Sequence, residues 1–244
     1  RSTRGVSLTD AGHTFLADCM RLLAAVAAAE ASAKGLHVQA QGKLRVFLPF
    51  LFSGYVMAPV LADYLDRYPE VRLEAHYHDY YPNLHEEGLD VAILVGELPS
   101  SALIARPVGH VRHILCASPG YLAAQDAPRH PDDLKQHRLI ASAGQVDWGF
   151  QGCRVKARAR LSCATVQGAI NAAVHDAGLI RCLSYPVHEH LRSGQLRRVL
   201  AGYELPPLPV HVVYREGRNA PMRVRSFVDH CVAALREHPA FQLA

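Results

Sequence analysis

Residues 44–74 read LRVFLPFLFSGYVMAPVLADYLDRYPEVRLE, and the fold class follows from the hydrophobic pattern of this segment. KLRVFL (43–48) and VRLEAHY (71–77) read as strands. Between them, SGYVMAPVLADYLDRY (53–68) reads as a helix that tolerates Pro59 at some local cost. Strand, helix and strand in this order predict a right-handed crossover and a sheet rich in parallel strands.

The same alternation continues downstream. LDVAILVG (89–96) is nearly all apolar, which predicts a strand buried on both faces. The chain holds too many strands for one small sheet, so we expect two α/β lobes of about 100 residues each. Further strands are predicted at 113–118, 160–165, 179–184 and 210–215, and helices over 166–178, 186–194 and 221–238.

The residues before this region predict a long amphipathic helix over 9–34. Thr9 suits the N-cap position, and Gly35 and Gly42 mark the end of the helix and a short linker. Apolar residues recur at spacings of four and three, which is a heptad seam that needs a partner helix. The predicted dimerisation residues on this seam are Phe15, Cys19, Leu22, Val26 and Ala29.

Composition limits the class of protein. Half of the 244 residues are apolar, but no run of 18 apolar residues could form a membrane-spanning helix. The formal net charge of +4 does not by itself identify a nucleic-acid binder. Six cysteines are scattered without a C-x-x-C pair, which favours reduced, mostly buried thiols in a cytoplasmic protein.

No sequence motif indicates catalysis, a metal or a cofactor. The two histidine pairs, His76 with His78 and His188 with His190, lack a third ligand at the spacing of a zinc site. G-x-S-x-G, G-x-G-x-x-G and Walker A sequences are absent. We therefore expect no enzyme activity, no metal and no cofactor, with the histidines solvated or satisfied in the core.

What the pattern does predict is a ligand between the two lobes, at the carboxyl ends of strands and at helix N-termini. Helix N-termini have free N–H groups that suit a carboxylate or a phosphate. An alternative is that the phenylalanines after the first strand fill the core of a lobe. The predicted ligand-binding residues are Phe50, Leu51, Phe52, Ser53, Val95, Gly96, Ser142, Thr165, Leu183, Ser184 and Tyr185.

Several segments together indicate a family. TRGVSLTDAG (3–12) resembles the end of the winged helix-turn-helix of LysR-type transcriptional regulators, where the wing leads into a linker helix. The likeness runs in order through nearly the whole chain. The segments that look like the effector domain of this family are 44–74, EEGLDVAILVGELPSSALIARPVG (86–109), LCASPGYLAAQDAPRHPDDL (115–134) and PVHVVYREGRNAPMRVRSFVDH (209–230).

The resemblance implies an α/β fold with two Rossmann-like subdomains of the type 2 periplasmic-binding-protein fold, preceded by the linker helix. It also implies a homodimer or homotetramer, and DNA binding through a helix-turn-helix upstream, so that DNA binding by this chain itself is weak or absent. Arg1 and Arg4 are then the remaining candidates for DNA contact, with a solvated tail as the alternative. The implied division is a wing remnant (1–8), a linker and dimerisation helix (9–42), effector subdomain I (43–115 and 215–244) and effector subdomain II (116–214).

The first loop of the effector domain departs from the family pattern. Small or hydroxylated residues are frequent there in relatives, whereas this chain has PFLF at 49–52. This departure favours an apolar or aromatic inducer with a polar end. The predicted function is a ligand-responsive, DNA-binding transcription regulator. The alternative is a solute-binding protein of a transport system with the same two-lobe fold, which the heptad seam disfavours.

Overall fold

The structure is a computed structural model that describes residues 39–142, 146–215 and 220–242. It also describes positions 8, 9, 11, 12, 15, 16, 18–20, 22, 23 and 26 of the N-terminal region, and those from 11 to 26 are helical. The predictions on Arg1, Arg4, Ala29 and Gly35 lie outside the described residues.

A parallel strand–helix–strand unit forms over residues 42–77. Its two strands pair in parallel along their whole length, from Gly42 opposite Val71 to Leu48 opposite Tyr77. This confirms the parallel pairing predicted from the sequence. The unit consists of β1 (Gly42–Leu48), a π-helical turn (Ser53–Met57), α1 (Ala58–Arg67) and β2 (Val71–Tyr77).

The position of Pro59 explains why this helix tolerates a proline. Inside a helix, proline removes a backbone hydrogen bond and crowds the preceding turn, whereas the first turn has no intrahelical partner for that N–H. Pro59 is the second residue of α1, and Ala58 before it directly follows the π-helical turn. Pro59 therefore lies where the backbone changes from π-helical to α-helical.

The first sheet has five strands in the order β2-β1-β3-β12-β4. Its third strand, β3, pairs in parallel with β1, and Val91 to Leu94 are all buried, as the apolar run predicts. A sheet whose central strand is buried on both faces is the arrangement expected of an α/β protein. The remaining strands are β3 (Val91–Val95), β4 (Ile104–Val111) and β12 (Leu208–Tyr214).

The second sheet has five strands in the order β11-β5-β10-β6-β9. Its strands β10, β6 and β9 pair in parallel, whereas β5 is antiparallel to both β10 and β11. The sheet is therefore mixed. Its strands are β5 (His113–Ala117), β6 (Leu139–Ser142), β9 (Leu161–Cys163), β10 (Leu179–Leu183) and β11 (Arg197–Val199).

An antiparallel hairpin of β7 (Val146–Phe150) and β8 (Cys153–Ala157) forms a separate two-stranded sheet. Its two-residue turn includes Gly152, whose φ of 77° is in the left-handed region that glycine adopts without strain. The hairpin, β4 and β11 are not among the elements predicted from the sequence.

Four further α-helices accompany the sheets. The helix predicted over 166–178 ends at Val174, because Asp176 adopts a left-handed φ of 61° just beyond it. The helices are α2 (Pro119–Ala124), α3 (Val166–Val174), α4 (His188–Arg192) and α5 (Met222–Glu237). Short 3-10 helices occupy Pro131–Gln136, Tyr185–Val187, Ala201–Tyr203 and Pro239–Phe241. No described helix is both long enough and apolar enough to cross a membrane.

The second sheet is covered on both faces. On one face, Ala169, Ile170 and Ala173 of α3 pack against buried residues of the sheet such as Ile114 and Ile180. The other face packs against the hairpin and the 3-10 helix that begins at Pro131. The buried residues of this second cluster include Leu115, Leu134, Trp148, Phe150 and Leu179.

Tyr64 connects α1 with α5. Its ring meets the Phe227 ring edge-on at a centroid distance of 5.0 Å. Its hydroxyl donates to the Arg223 carbonyl at 2.9 Å and lies 3.0 Å from the Ser226 hydroxyl. Burial raises the pKa of Tyr64 to about 12. The phenol therefore stays protonated and remains a hydrogen-bond donor between the two helices.

Contacts divide the chain into two compact units. Unit 1 comprises the residues up to Leu94, together with 99–106 and 212–234, and unit 2 comprises 95–98, 107–211 and 235–244. Four of the five boundaries fall within β3, β4, β12 and α5, and the fifth, after Leu98, lies between β3 and β4. They differ from the effector-subdomain boundaries predicted at 115 and 214, which stay a prediction.

Candidate functional site

In unit 1, the carboxyl ends of β1 and β2 lie side by side, because Leu48 is opposite Tyr77 in a parallel pair. The loops that follow these strands therefore meet at one edge of the first sheet. His78 N–H donates to the Leu48 carbonyl at 3.1 Å, which continues the pairing into the loops. We call residues 49–53 and 78–80 the first rim.

The backbone of the first rim is held by its own hydrogen bonds. Phe52 N–H donates to the Pro49 carbonyl at 2.9 Å, and Phe50 N–H donates to Asp79 Oδ1 at 3.0 Å. The Ser53 hydroxyl donates to the Phe50 carbonyl at 2.8 Å. This hydroxyl uses its hydrogen within the loop, so its oxygen can still accept a hydrogen bond from a ligand.

The two phenylalanines of the first rim differ in exposure. Phe50 is 51% exposed, whereas Phe52 has no exposed surface and is among the largest fully buried side chains. A side chain without accessible surface cannot contact a ligand unless its surroundings rearrange. The burial of Phe52 therefore favours the alternative in which this residue fills the core, and leaves Phe50 as the accessible aromatic of the loop. Leu51 and Ser53 are half-buried.

An aromatic cluster follows β2 and was not predicted as part of the site. The rings of Phe47 and Tyr80 meet edge-on at 5.2 Å, and the rings of His78 and Tyr80 lie 5.3 Å apart. Tyr80 is 51% exposed. The rule that ligands bind after the carboxyl ends of parallel strands, applied to β2 as it was to β1, would have indicated His78 and Tyr80, whereas Phe47 belongs to β1.

In unit 2, three parallel strands end at the same edge of the second sheet. Ser142, at the end of β6, is opposite Cys163 at the end of β9, and β10 runs parallel to β6 on its other side. Ser142, Thr165 and residues 183–185 therefore follow neighbouring strand ends. We call this set the second rim.

Thr165 is the N-cap of α3. Its Oγ1 accepts a hydrogen bond from Gly168 N–H at 3.1 Å, so its own hydroxyl hydrogen remains available to a ligand. No acidic residue lies in the first turn of α3. The positive end of the helix dipole is therefore not compensated by a carboxylate within that turn, which favours an anionic ligand group at this point.

The members of the second rim differ in accessibility. Thr165 is exposed, and Ser142 and Leu183 are half-buried. Ser184 is buried, and its Oγ accepts a hydrogen bond from Arg112 N–H at 3.1 Å. Tyr185 is buried too, with its ring 6.3 Å from that of Phe241. The side chains of Ser184 and Tyr185 therefore contact other parts of the protein and present little surface to a ligand.

Val95 and Gly96 follow the buried strand β3 and are half-buried. Gly96 has a φ of 103°, which glycine adopts without the strain that a Cβ would bring. Its N–H donates to the Pro209 carbonyl at 2.8 Å. This N–H is therefore already engaged by the protein.

The histidines do not gather into a metal site. Among the described residues, no three His, Cys, Asp or Glu side chains are arranged to hold a metal ion. His76 and His78 are exposed. Burial, with the neighbouring Arg181 guanidinium, lowers the pKa of His113 to about 4. Burial also lowers the pKa of His211. Both side chains are therefore uncharged at neutral pH.

The linker helix begins as predicted. Thr9 Oγ1 accepts a hydrogen bond from Gly12 N–H at 3.1 Å, which is an N-cap contact. Phe15, Leu22 and Val26 are 70%, 68% and 55% exposed, and Cys19 is half-buried. Leu16, Met20 and Leu23 are exposed as well, so the large apolar side chains left in water in the single chain include the predicted stripe but extend beyond it.

A groove of about 540 Å³ lies in unit 1 between α1 and α5. It includes none of the predicted ligand-binding residues. Its lining mixes a tyrosine ring, small apolar side chains and both signs of charge: Arg67, Tyr68, Met222, Arg225, Ser226, Asp229, His230 and Ala233.

The sequence profile described as "LysR substrate binding domain" matches residues 37–236. The chain belongs to the LysR family. The resemblance seen in the sequence is thereby confirmed.

Curated LysR relatives match along nearly the whole chain. The regulator YhjC of Escherichia coli K12, described as an uncharacterized HTH-type transcriptional regulator, is 30% identical over 98% of this chain and 83% of its own length. An HTH-type transcriptional repressor of Pseudomonas aeruginosa, PA14_22550, is 31% identical over 100% of this chain and 80% of its own length. These names favour the transcription-regulator interpretation over the solute-binding alternative.

Solved LysR structures share the fold. CrgA of Neisseria meningitidis, a LysR-type transcriptional regulator, is 28% identical with a TM-score of 0.73, and the match covers 96% of this chain and 82% of that chain. Full-length AphB, the Vibrio cholerae virulence activator, is 28% identical with a TM-score of 0.72 over the same shares. The predicted periplasmic-binding-protein-like α/β fold is confirmed.

Proposed function

We propose that this chain is the sensing part of a LysR-type transcription regulator that responds to a small-molecule inducer. The observation that carries the proposal is the second rim, where Thr165 and the uncompensated N-terminus of α3 lie beside the end of β6. Polar groups at the carboxyl ends of parallel strands are the usual ligand site of α/β folds. The proposed role at promoters implies the cytoplasm as the compartment.

We propose that the inducer has an apolar or aromatic body and an anionic or polar end. The Thr165 hydroxyl and the N–H groups that begin α3 would hold the polar end, because buried polar ligand atoms need partners. Phe50 and Tyr80, each about half exposed, offer aromatic surface to the body. The other proposed contacts are Leu51, Ser53, Val95, Gly96, Ser142 and Leu183, supported by the buried Phe52, Ser184 and Tyr185.

We further propose that the chain assembles as a homodimer or homotetramer through the linker helix. The exposed stripe from Phe15 to Val26 supports this. An apolar seam of this length is normally covered by a partner helix and not left in water. Inducer binding would then change the geometry of the assembly and so reposition the DNA-binding domains. The prediction of effector subdomains divided at 115 and 214 forms part of this proposal.

A thermal-shift screen tests the ligand class. Aryl and alkyl carboxylates are each compared with their neutral amides, so that the anionic end is the only difference within a pair. At a ligand concentration one hundred times Kd, binding adds about 2.7 kcal/mol, which raises the Tm by roughly 5–11 °C for a chain of this size.

Two variants locate the site. Thr165→Val keeps the shape but removes the hydroxyl, and with it the cap on Gly168 N–H, and should weaken the binding of an acid hit by about 1–3 kcal/mol. Thr165→Ser retains the hydroxyl and serves as the matched control. Hits that favour the amides, or equal affinities for Thr165→Val and Thr165→Ser, would contradict the proposed site.

A further inference from the structure

A row of basic side chains lies on the outer face of the hairpin and of the segment that follows it. The residues at 154, 156, 158 and 160 are exposed, whereas those between them, at 155, 157 and 159, pack against the core cluster on that side of the second sheet. This alternation places the four cations on one side of an extended chain. We call Arg154, Lys156, Arg158 and Arg160 the basic face.

Only one carboxylate on the hairpin opposes the basic face. Asp147 is opposite Lys156 in the register and binds Arg154, with 2.6 Å between Oδ1 and Nε. Within the part of the chain that the structure describes, the side chains of Lys156, Arg158 and Arg160 make no hydrogen bond or ion pair. The segment 146–160 thus carries a net charge of +3, against +4 for the whole chain.

The neighbouring 3-10 helix, Pro131–Gln136, does not neutralise this charge. It packs beside β8 and carries two carboxylates. Asp132 binds Lys135 at 2.9 Å, and Asp133 accepts hydrogen bonds from two backbone N–H groups at 2.9 Å each. Both carboxylates are therefore engaged by residues of this helix or of the segment just before it.

We propose that the basic face binds the phosphate backbone of duplex DNA. Alternate residues of a strand are about 6.7 Å apart, so the four cations span at most about 20 Å, or about six base pairs at 3.4 Å each. Cations in such a row can each lie near a phosphate, and contacts of this kind orient a protein on DNA without reading its sequence. The contact would add to the upstream helix-turn-helix implied by the family.

Edge protection is the competing explanation. β8 is hydrogen-bonded to β7 alone, and charged side chains on edge strands prevent pairing with other chains. That role requires charge at the edge but no affinity for DNA. The two explanations therefore predict different effects of removing the charges. DNA binding is lost if the basic face contacts DNA, whereas aggregation increases if it protects the edge.

Fluorescence anisotropy of the 244-residue chain on a random duplex of about 20 base pairs tests the proposal. The logarithm of the binding constant is measured against the logarithm of salt concentration from about 50 to 200 mM, where each phosphate contact contributes a slope of about −0.9. The double variant Lys156→Gln/Arg158→Gln should make this negative slope shallower by about 1.8, and it should weaken binding at least tenfold at the lowest salt concentration. No inducer is present, so failure here leaves the proposed function intact.

Matched variants make the result specific. Arg72→Gln/Arg197→Gln removes the same charge from exposed side chains elsewhere and should retain the slope. Lys156→Arg/Arg158→Lys keeps the charge in place and should also retain it. Three outcomes would overturn the proposal: no binding by the unmodified chain, equal losses in the two Gln variants, or tighter binding to poly-glutamate than to DNA. Aggregation of Lys156→Gln/Arg158→Gln with unchanged DNA affinity would likewise establish edge protection instead.

Discussion

Phe50 and Phe52 are two residues apart in the chain, yet substitution of each should have a different effect. Phe52 has no exposed surface, and truncation of a buried phenylalanine to alanine costs about 3–5 kcal/mol through lost burial and a residual cavity. Phe50 is 51% exposed, so Phe50→Ala should cost about 1 kcal/mol or less, since much of the ring is already in water.

Thermal denaturation and ligand titration on both variants separate stability from binding. Phe52→Ala should lower the Tm by roughly 6–20 °C while the affinity of the remaining folded molecules for a carboxylate hit stays unchanged. Phe50→Ala should do the reverse, with a small change in Tm and a clear loss of affinity. A Phe52→Ala chain of normal Tm that no longer binds the hit would refute this reasoning, because it would place the buried ring in contact with the ligand.

Three further results are expected. Leu22→Asp places a charge on the exposed stripe of the linker helix, so light scattering should show a smaller assembly than for the unmodified chain; an unchanged mass would contradict the seam. The pKa of His113 is lowered to about 4 in the folded chain. Between pH 6.5 and pH 4 this histidine is therefore protonated in the unfolded chain but not in the folded chain. Because the unfolded chain binds the extra proton, the free energy of unfolding should fall by about 1–3 kcal/mol over this range. His113→Asn should remove that part of the decline, as measured by urea denaturation at both pH values, and an identical decline in the variant would show that other groups cause it. Cys153 is exposed whereas Cys116, Cys182 and Cys231 are buried. Brief thiol labelling of the native chain, read by mass spectrometry, should therefore modify Cys153 well before these three. Early labelling of Cys182 would be inconsistent with a thiol pKa that is raised by contact with Cys116 and by burial.

The sequence predicts the elements whose hydrophobic pattern is regular. β2 lies at the predicted residues, and β3 and α5 lie within the predicted ranges, because an apolar run or a helical period leaves few alternatives. β4 was missed since Pro107 and Gly109 interrupt it, and both residues are typical of breaks in a strand. β11 has only three residues, two of them arginines, so it has no pattern to detect.

The sequence predicts which strand ends carry the candidate site, but not which side chains at those strand ends are exposed. The strand-end rule indicated Ser142 and Thr165, and the parallel register of β6 with β9 brings the ends of these strands together. The same rule could not distinguish Phe50 from Phe52, because both lie in the loop before the π-helical turn that begins at Ser53 and only one ring is buried. Such a turn has no reliable sequence pattern, so the division between core and rim required the structure.

Thr165 and the basic face both belong to unit 2, which makes their coupling measurable on one chain. If inducer binding alters the DNA affinity of the basic face by some factor, DNA must alter inducer affinity by the same factor. The anisotropy titration repeated with saturating ligand gives that factor directly, and the thermal-shift assay with DNA present gives its reciprocal measurement. A factor near one would mean that the basic face is a fixed anchor on DNA, so that the signal must travel through the linker helix and the assembly alone. A factor of five or more, in the usual range of allosteric coupling, would mean that the effector domain itself changes its hold on DNA when the inducer binds.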